Sequence, residues 1–188
     1  MNFENDILRC LEILRAGGII LYPTDTIWGI GCDATNAIAV ERIYELKQRP
    51  DEKSLIVLVA TEKAILQYVS NPDLAVFDFL KSTRKPTTVI YEGAIGLADN
   101  LLNKDGSIAI RIPQDEFCKN LIKRFRKPVV STSANISGEP PPQNFSGIAD
   151  KVKSGVDYIV RYRQNENSNA EPSTLMRWEK GKPIILRP

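Results

Sequence analysis

The chain has 188 residues, 43% hydrophobic and 26% charged, which bounds it to one ordinary globular domain over residues 1–188. Its net charge of +2 supplies no whole-molecule field for nucleic acid, and Cys10, Cys32 and Cys118, without a CxxC pair, argue against a disulfide framework and a zinc site. The absence of histidine excludes His-based acid–base catalysis, Ser-His-Asp and Cys-His nucleophiles, and His metal ligands. No apolar run approaches the ~18–20 residues that span a bilayer. Met1 to Asp6 lacks the basic-then-apolar order of a signal peptide, so a cytoplasmic protein without a membrane partner is expected.

Residues 5–16 read as an amphipathic helix carrying Ile7, Leu8, Leu11 and Leu14, stopped by Gly17 and Gly18. Ile19 to Tyr22 is a short apolar run without alternation, hence a buried strand, and Pro23 ends it. Gly29 and Gly31 provide backbone that bends or approaches a ligand closely. Asn36 caps a second helix with Ile38, Ile43, Tyr44 and Leu46, which ends near Gln48 because Pro50 biases Arg49 away from helical angles. Leu55 to Val59 is the clearest strand. Helices follow from Thr61 to about Tyr68 and over 73–81, then strands at Thr87–Tyr91 and Ile108–Ile112.

Asp115 opens a helix with Phe117, Leu121, Ile122 and Phe125 on one face. Pro128 to Val130 is a strand that runs into a loop of hydroxyl and amide residues, Ser131 to Gly138. Pro140 to Pro142 is stiff and extended, and a short helix follows near 146–153. The last strands are Tyr158–Val160, Ser173–Met176 and Ile184–Leu186, and the polar stretch 163–172 reads as a mobile loop. Helices and strands alternate without strict βαβ regularity, so the fold class is α/β (α+β), with a twisted mixed open sheet.

Four segments could carry chemistry. Thr24 and Thr26, in Pro-Thr-Asp-Thr after a buried strand, either cap their own turn or face a small polar ligand. Lys47 and Arg49 either complement a helix dipole or grip a polyphosphate as point charge and planar fork, with Lys53 extending the same cationic edge. The small residues of Ser131 to Gly138 make either a plain turn or a loop whose backbone N–H groups converge on an anion. No Walker lysine follows it, and the Gly-x-Gly at 29–31 lacks the third glycine of a dinucleotide fingerprint. Arg111 lies in an otherwise apolar strand and needs an anionic partner, a protein carboxylate or a substrate carboxylate; Arg187 raises the same question.

Taken in order, Tyr22-Pro23-Thr24-Asp25-Thr26 with Trp28-Gly29-Ile30-Gly31, Lys47-Gln48-Arg49-Pro50, Leu55-Ile56-Val57, Arg111-Ile112-Pro113, Ser131 to Gly138, Pro172-Ser173-Thr174 and Leu186-Arg187 resemble the YrdC/Sua5 family of threonylcarbamoyl-adenylate synthases. The resemblance runs from about Gly17 to Arg187. It implies a single-domain member with a basic concave cleft and flanking helices. It implies that L-threonine, bicarbonate and ATP, with Mg2+, give threonylcarbamoyl-AMP and pyrophosphate for the t6A modification of tRNA. Downstream tRNA threonylcarbamoyl-transfer proteins would be partners, and tRNA or double-stranded RNA a further one.

Carried over by residue, Lys47, Arg49, Lys53, Ser131, Ser133, Asn135 and Arg187 would meet ATP. Thr24, Thr26, Thr88, Arg111 and Ser173 would meet threonine; no residue is implied as nucleophile or metal ligand. Two departures bear on the amine site: Leu58 stands where the family often has histidine, and Arg84-Lys85-Pro86-Thr87-Thr88 replaces Pro-Gly-Pro-x-Thr. Two other readings of the same residues are a non-catalytic double-stranded RNA or tRNA-binding module and a nucleotidyltransferase acting on a different amine.

Overall fold

The computed structural model describes residues 3–48, 55–166 and 171–188. Helix α1 (Glu4–Arg15) buries Ile7, Cys10, Leu11 and Leu14 along one stripe. It leads to β1 (Ile20–Tyr22), a strand buried at every residue, as its unbroken apolar run predicts. The Gly29–Gly31 segment is not a free bend but a second buried strand, β2. Helix α2 (Ala37–Lys47) starts where Asn36 Oδ1 accepts from the backbone of Ile38 and Ala39, and it ends on a left-handed Gln48 at φ 50°.

Strand β3 (Ile56–Leu58) precedes α3 (Glu62–Tyr68), capped by Thr61, and α4 (Ala75–Ser82). Strands β4 (Thr87–Tyr91) and β5 (Ile108–Arg111) follow, then α5 (Glu116–Phe125), whose cap is the Asp115 carboxylate on the Cys118 N–H. Its buried face, including Phe117, Leu121 and Ile122, packs against α1. Strand β6 (Val129–Ser133) runs on through three residues that the sequence reading assigns to a loop. The chain closes with α6 (Asp150–Ser154), β7 (Tyr158–Ile159), β8 (Thr174–Glu179) and β9 (Lys182–Arg187).

Among the described residues the strands form one mixed sheet in the order β7-β1-β2-β6-β3-β5-β4-β8-β9. β1/β7, β3/β5 and β4/β8 pair in parallel; the other neighbours are antiparallel. The register puts Ser131, Ile56, Ala109 and Ile90 in one row and Leu58, Arg111, Thr88 and Leu175 in another, two residues along. Successive residues point to opposite faces. The intervening Val57, Ile110, Val89, Val130 and Met176 are fully or almost fully buried in the core. The two rows, which set Ser131, Thr88 and Arg111 among apolar neighbours, therefore share the other face, and Ser131, Ile56, Ala109, Ile90, Arg111 and Leu175 of them line a cleft.

Gly31 shows why β2 holds glycines. A Cβ there would meet the Val130 carbonyl oxygen and come within 2.7 Å of the Tyr22 ring. Tyr22 is itself committed: its hydroxyl donates to Val130 O at 3.2 Å, and burial pushes its ionisation well above the usual tyrosine range. Gly31→Ala is expected to cost about 3 kcal/mol by overpacking. Urea unfolding checks this, and an unchanged midpoint would contradict the close approach.

Candidate active site

The cleft on this face has a volume of about 490 Å³, and Thr26, Arg111, Ser131, Ser133, Ser173 and Arg187 are among the residues that line it. Arg111 sits at its base, 4% exposed. Both readings of that arginine meet here. Its NH2 lies 3.4 Å from Asp25 Oδ1, so a protein carboxylate compensates it, and its side chain still faces the cleft. Its NH1 donates to Thr26 Oγ1 at 3.0 Å.

The protons of the threonine turn can be followed from there. Arginine only donates. Thr24 donates to Ile27 O at 2.7 Å, so in the 3.0 Å contact between Thr24 and Thr26 the donor is Thr26. Its hydroxyl hydrogen is committed, and toward a ligand Thr26 offers only a lone pair. That suits a donor such as an amine or a hydroxyl. The turn divides between the two readings: Thr24 caps its own turn, and Thr26 lines the cleft. Thr88 is the register neighbour of Arg111, and its Oγ1 lies 2.8 Å from Ser173 Oγ; both residues are buried, and of the two Ser173 lines the cleft.

The nucleotide-side residues divide. Ser131 and Ser133 line the cleft from β6, but their backbone belongs to the sheet ladder with β3 and β2. Beyond it, the N–H groups of Ala134, Asn135 and Ser137 donate to Trp28, Ser133 and Lys47 carbonyls. These three donors are used inside the protein, which favours the plain-turn reading for this part of the loop. Asn135 Nδ2 is likewise committed to Ile136 O and Glu139 O.

Lys47 is 1% exposed, and its ammonium donates to the carbonyls of Ser133 (2.5 Å) and Asn135 (2.7 Å). It is turned onto the loop that follows β6 and shapes that loop. Arg187 lies at the cleft edge, and its guanidinium donates to Ser173 O at 3.0 and 3.3 Å. Arg49 and Lys53 lie outside the described residues.

One functional residue escaped sequence reading. Arg163 opens the stretch read as a mobile loop, yet its NH1 donates to Thr24 O (3.2 Å) and to Asp115 Oδ2 (3.0 Å), which ties this part of the stretch down. Just upstream, the buried carboxylate of Asp6 accepts from Tyr158 Oη and from the backbone of Arg161 and Tyr162. No local pattern signals bonds that span 48 to 156 residues of sequence.

The three cysteines are buried and unpaired, and burial raises each thiol well above its usual range; for Cys118 the nearby Asp115 adds to this. None is a thiolate nucleophile at neutral pH. Among the described residues no three His, Cys, Asp or Glu side chains are grouped to hold a metal ion, and no helix is long and apolar enough to cross a membrane.

The model of the Sua5/YciO/YrdC family, described as telomere recombination, matches residues 12–188. The chain belongs to this family. It is 31% identical over 185 residues to a threonylcarbamoyl-AMP synthase of Pseudoalteromonas translucida, covering 97% of this chain and 98% of the relative. It is 30% identical to the enzyme of that name from Vibrio campbellii, over 98% and 97% of the two chains. Its fold superimposes on P. abyssi Sua5 complexed with L-threonine with a TM-score of 0.86 at 25% identity. That match covers 98% of this chain but 54% of Sua5, so the chain spans about half the Sua5 length. E. coli YciO matches with a TM-score of 0.83 at 25% identity, over 98% and 89% of the two chains. The twisted mixed sheet expected of the family is the one observed.

Lys47→Met removes the donor from two loop carbonyls and is expected to cost about 2–4 kcal/mol, since each buried acceptor left unmet is penalised. The same variant should weaken ATP binding, because the walls set by Ser133 and Asn135 lose their anchor. Denaturant unfolding and ATP titration check this together; full stability with full ATP affinity would refute the anchoring role.

Proposed function

We propose that this protein is an L-threonylcarbamoyladenylate synthase, which joins L-threonine, bicarbonate and ATP into threonylcarbamoyl-AMP with release of pyrophosphate. The observation that carries the reading is the buried Arg111 at the floor of a hydroxyl-lined cleft. Arg111 would take the substrate carboxylate through its remaining N–H groups. Thr26, restricted to accepting, would take a hydrogen from the amine or the hydroxyl of threonine, and Ser173, held by Thr88, would bound the pocket beside Arg111. Ser131, Ser133 and Asn135 would line the nucleotide, with Arg49, Lys53 and Arg187 supplying charge toward its phosphates.

The threonine amine adds to bicarbonate with loss of water, giving a carbamate. A carbamate oxygen then attacks the α-phosphorus of ATP, and the bond to the β-phosphate breaks. No protein nucleophile takes part, in keeping with the missing histidine and the protonated cysteines. The chain's contribution is alignment of three reactants and positive charge around the phosphates. Mg2+ would arrive on the phosphates of ATP and stay bound through them and water. The product is a reactive mixed anhydride, so tRNA threonylcarbamoyl-transfer proteins are the fitting consumers. Unpaired cysteines support the cytoplasm as its compartment.

The deciding experiment is pyrophosphate release from Mg·ATP, with threonine and bicarbonate each added or omitted. Release that requires both is expected, and release indifferent to threonine would overturn the reading. Two variants divide the site. Arg49→Ala should stay folded and lose about a hundredfold or more in adenylate formation, the scale of one lost electrostatic donor. Arg111→Ala should chiefly raise the threonine concentration needed for half-maximal rate; a threonine requirement equal to wild type would remove it from the site.

A further inference from the structure

The sequence motif that carries Thr24 and Thr26 also carries Asp25, to which the reaction assigns no part. Its side chain is 9% exposed, and that of Arg111 is 4% exposed. Asp25 Oδ2 accepts from the backbone N–H of Gln114 at 2.9 Å, which fixes the carboxylate at the start of the turn into α5. The other oxygen, Oδ1, points to Arg111 NH2 at 3.4 Å. Oδ1 and Arg111 Nε are both buried without a hydrogen-bond partner, so charge rather than a closed hydrogen bond joins the two groups.

A purely structural ion pair closes its hydrogen bonds, because leaving buried polar atoms unmet is costly. Here the contact is open. The guanidinium is compensated from behind, yet its Nη hydrogens are not all consumed. A bare buried guanidinium would hold whatever anion is abundant. With Asp25 in place, most of that attraction is already cancelled. A small inorganic anion offers only charge and gains little. A carboxylate also offers two parallel acceptors, and those hydrogen bonds survive the cancellation.

We propose that Asp25 is the resident counter-ion of Arg111: it holds the guanidinium toward the cleft between turnovers and keeps small inorganic anions off the carboxylate position. This rests on the reading of Arg111 as the partner of the threonine carboxylate. Asp25 is a positioning residue and touches no substrate.

Asp25→Asn keeps an oxygen for the Gln114 N–H and removes only the charge. The test follows the threonine KM and kcat of wild type and Asp25→Asn from zero to about 150 mM chloride, a physiological ionic strength, held constant with HEPES salts. Wild type should hold its KM across the range. In Asp25→Asn the KM should climb about tenfold as chloride competes with threonine, the scale of one charged hydrogen bond, and kcat should fall at all chloride levels. An Asp25→Asn enzyme as indifferent to chloride as wild type overturns the proposal.

If Asp25→Asn yields little folded protein, the Arg111→Gln background decides. With the guanidinium gone Asp25 is a buried charge without its partner, so adding Asp25→Asn should raise the unfolding midpoint above that of Arg111→Gln alone and not lower it. Equal destabilisation in both backgrounds makes Asp25 structural only and overturns the proposal. An unchanged threonine KM in Arg111→Gln removes Arg111 from the threonine site, and this proposal with it. A raised KM in Arg111→Gln beside a chloride-blind Asp25→Asn overturns the role of Asp25 alone.

Discussion

A guanidinium buried at the base of a cleft is the constraint on which the substrate side of this molecule depends. Arg111 projects from β5 into a row shared with Leu58, Thr88 and Leu175. At that depth it demands a counter-charge and hydrogen-bond acceptors. The turn after β1 supplies both, Asp25 for the charge and Thr26 for one N–H. Once bent onto Arg111, that turn must itself be held. Gln114 donates to Asp25, and Arg163 ties the Thr24 carbonyl to the cap of α5 through Asp115. The segment that carries Arg163 is held in turn by Asp6 of α1. One buried charge thus organises a set of contacts that reaches from the first helix to residue 163.

The other side of the cleft repeats the principle with a different cation. Lys47 ends α2, and its ammonium replaces water on the carbonyls of Ser133 and Asn135. Those carbonyls lie where the β6 ladder stops, so the lysine serves as a donor strand would. A buried ammonium is expensive unless its hydrogens are met. Meeting them with carbonyls makes the turn from Ser133 to Ser137 a single arrangement, reinforced by Ser137 N on the Lys47 carbonyl. Two interior cations therefore set the walls on which hydroxyls are displayed, and the net charge of +2 gives no hint of either.

How much of this was legible follows from what each residue depends on. The long amphipathic helices and their caps, Asn36, Thr61 and Asp115, rest on local periodicity and local hydrogen bonds, and they stand where the sequence puts them. Strand β2 was not legible, because Gly-Ile-Gly has no strand preference of its own and exists only between β1 and β6. The same holds for Ser131 to Ser133. Hydroxyl residues read as loop, yet a strand whose face floors a cleft is polar by function. Arg111 was legible as a buried cation in need of an anion, since apolar neighbours in a strand leave it nowhere else to go. Its partner, Asp25, in a turn far off in sequence, was not. Arg163, and the hold of Lys47 on the Ser133 and Asn135 carbonyls, escaped for a shared reason: these hydrogen bonds are tertiary, and a cation at a helix end or in a polar stretch has an adequate local explanation.

The direction of hydrogen bonding bears on how such a site works. The chain from Arg111 to Thr26 to Thr24 to Ile27 O runs one way, because its first member cannot accept and its last cannot donate. A chain of that kind cannot relay a proton without breaking, which fits the role proposed for Thr26, orienting threonine rather than deprotonating it. The chain has no histidine, and burial raises its three thiols well above their usual range, so neither is a ready proton carrier for the proposed chemistry near neutral pH. Protons released by the proposed chemistry must then leave on the reactants, on bicarbonate oxygen as water and on phosphate. Catalysis by alignment alone is intolerant of small displacements. Residues to which the proposed reaction assigns no contact with a reactant, Asp6 and Arg163 among them, would accordingly matter to it through the position they impose on others.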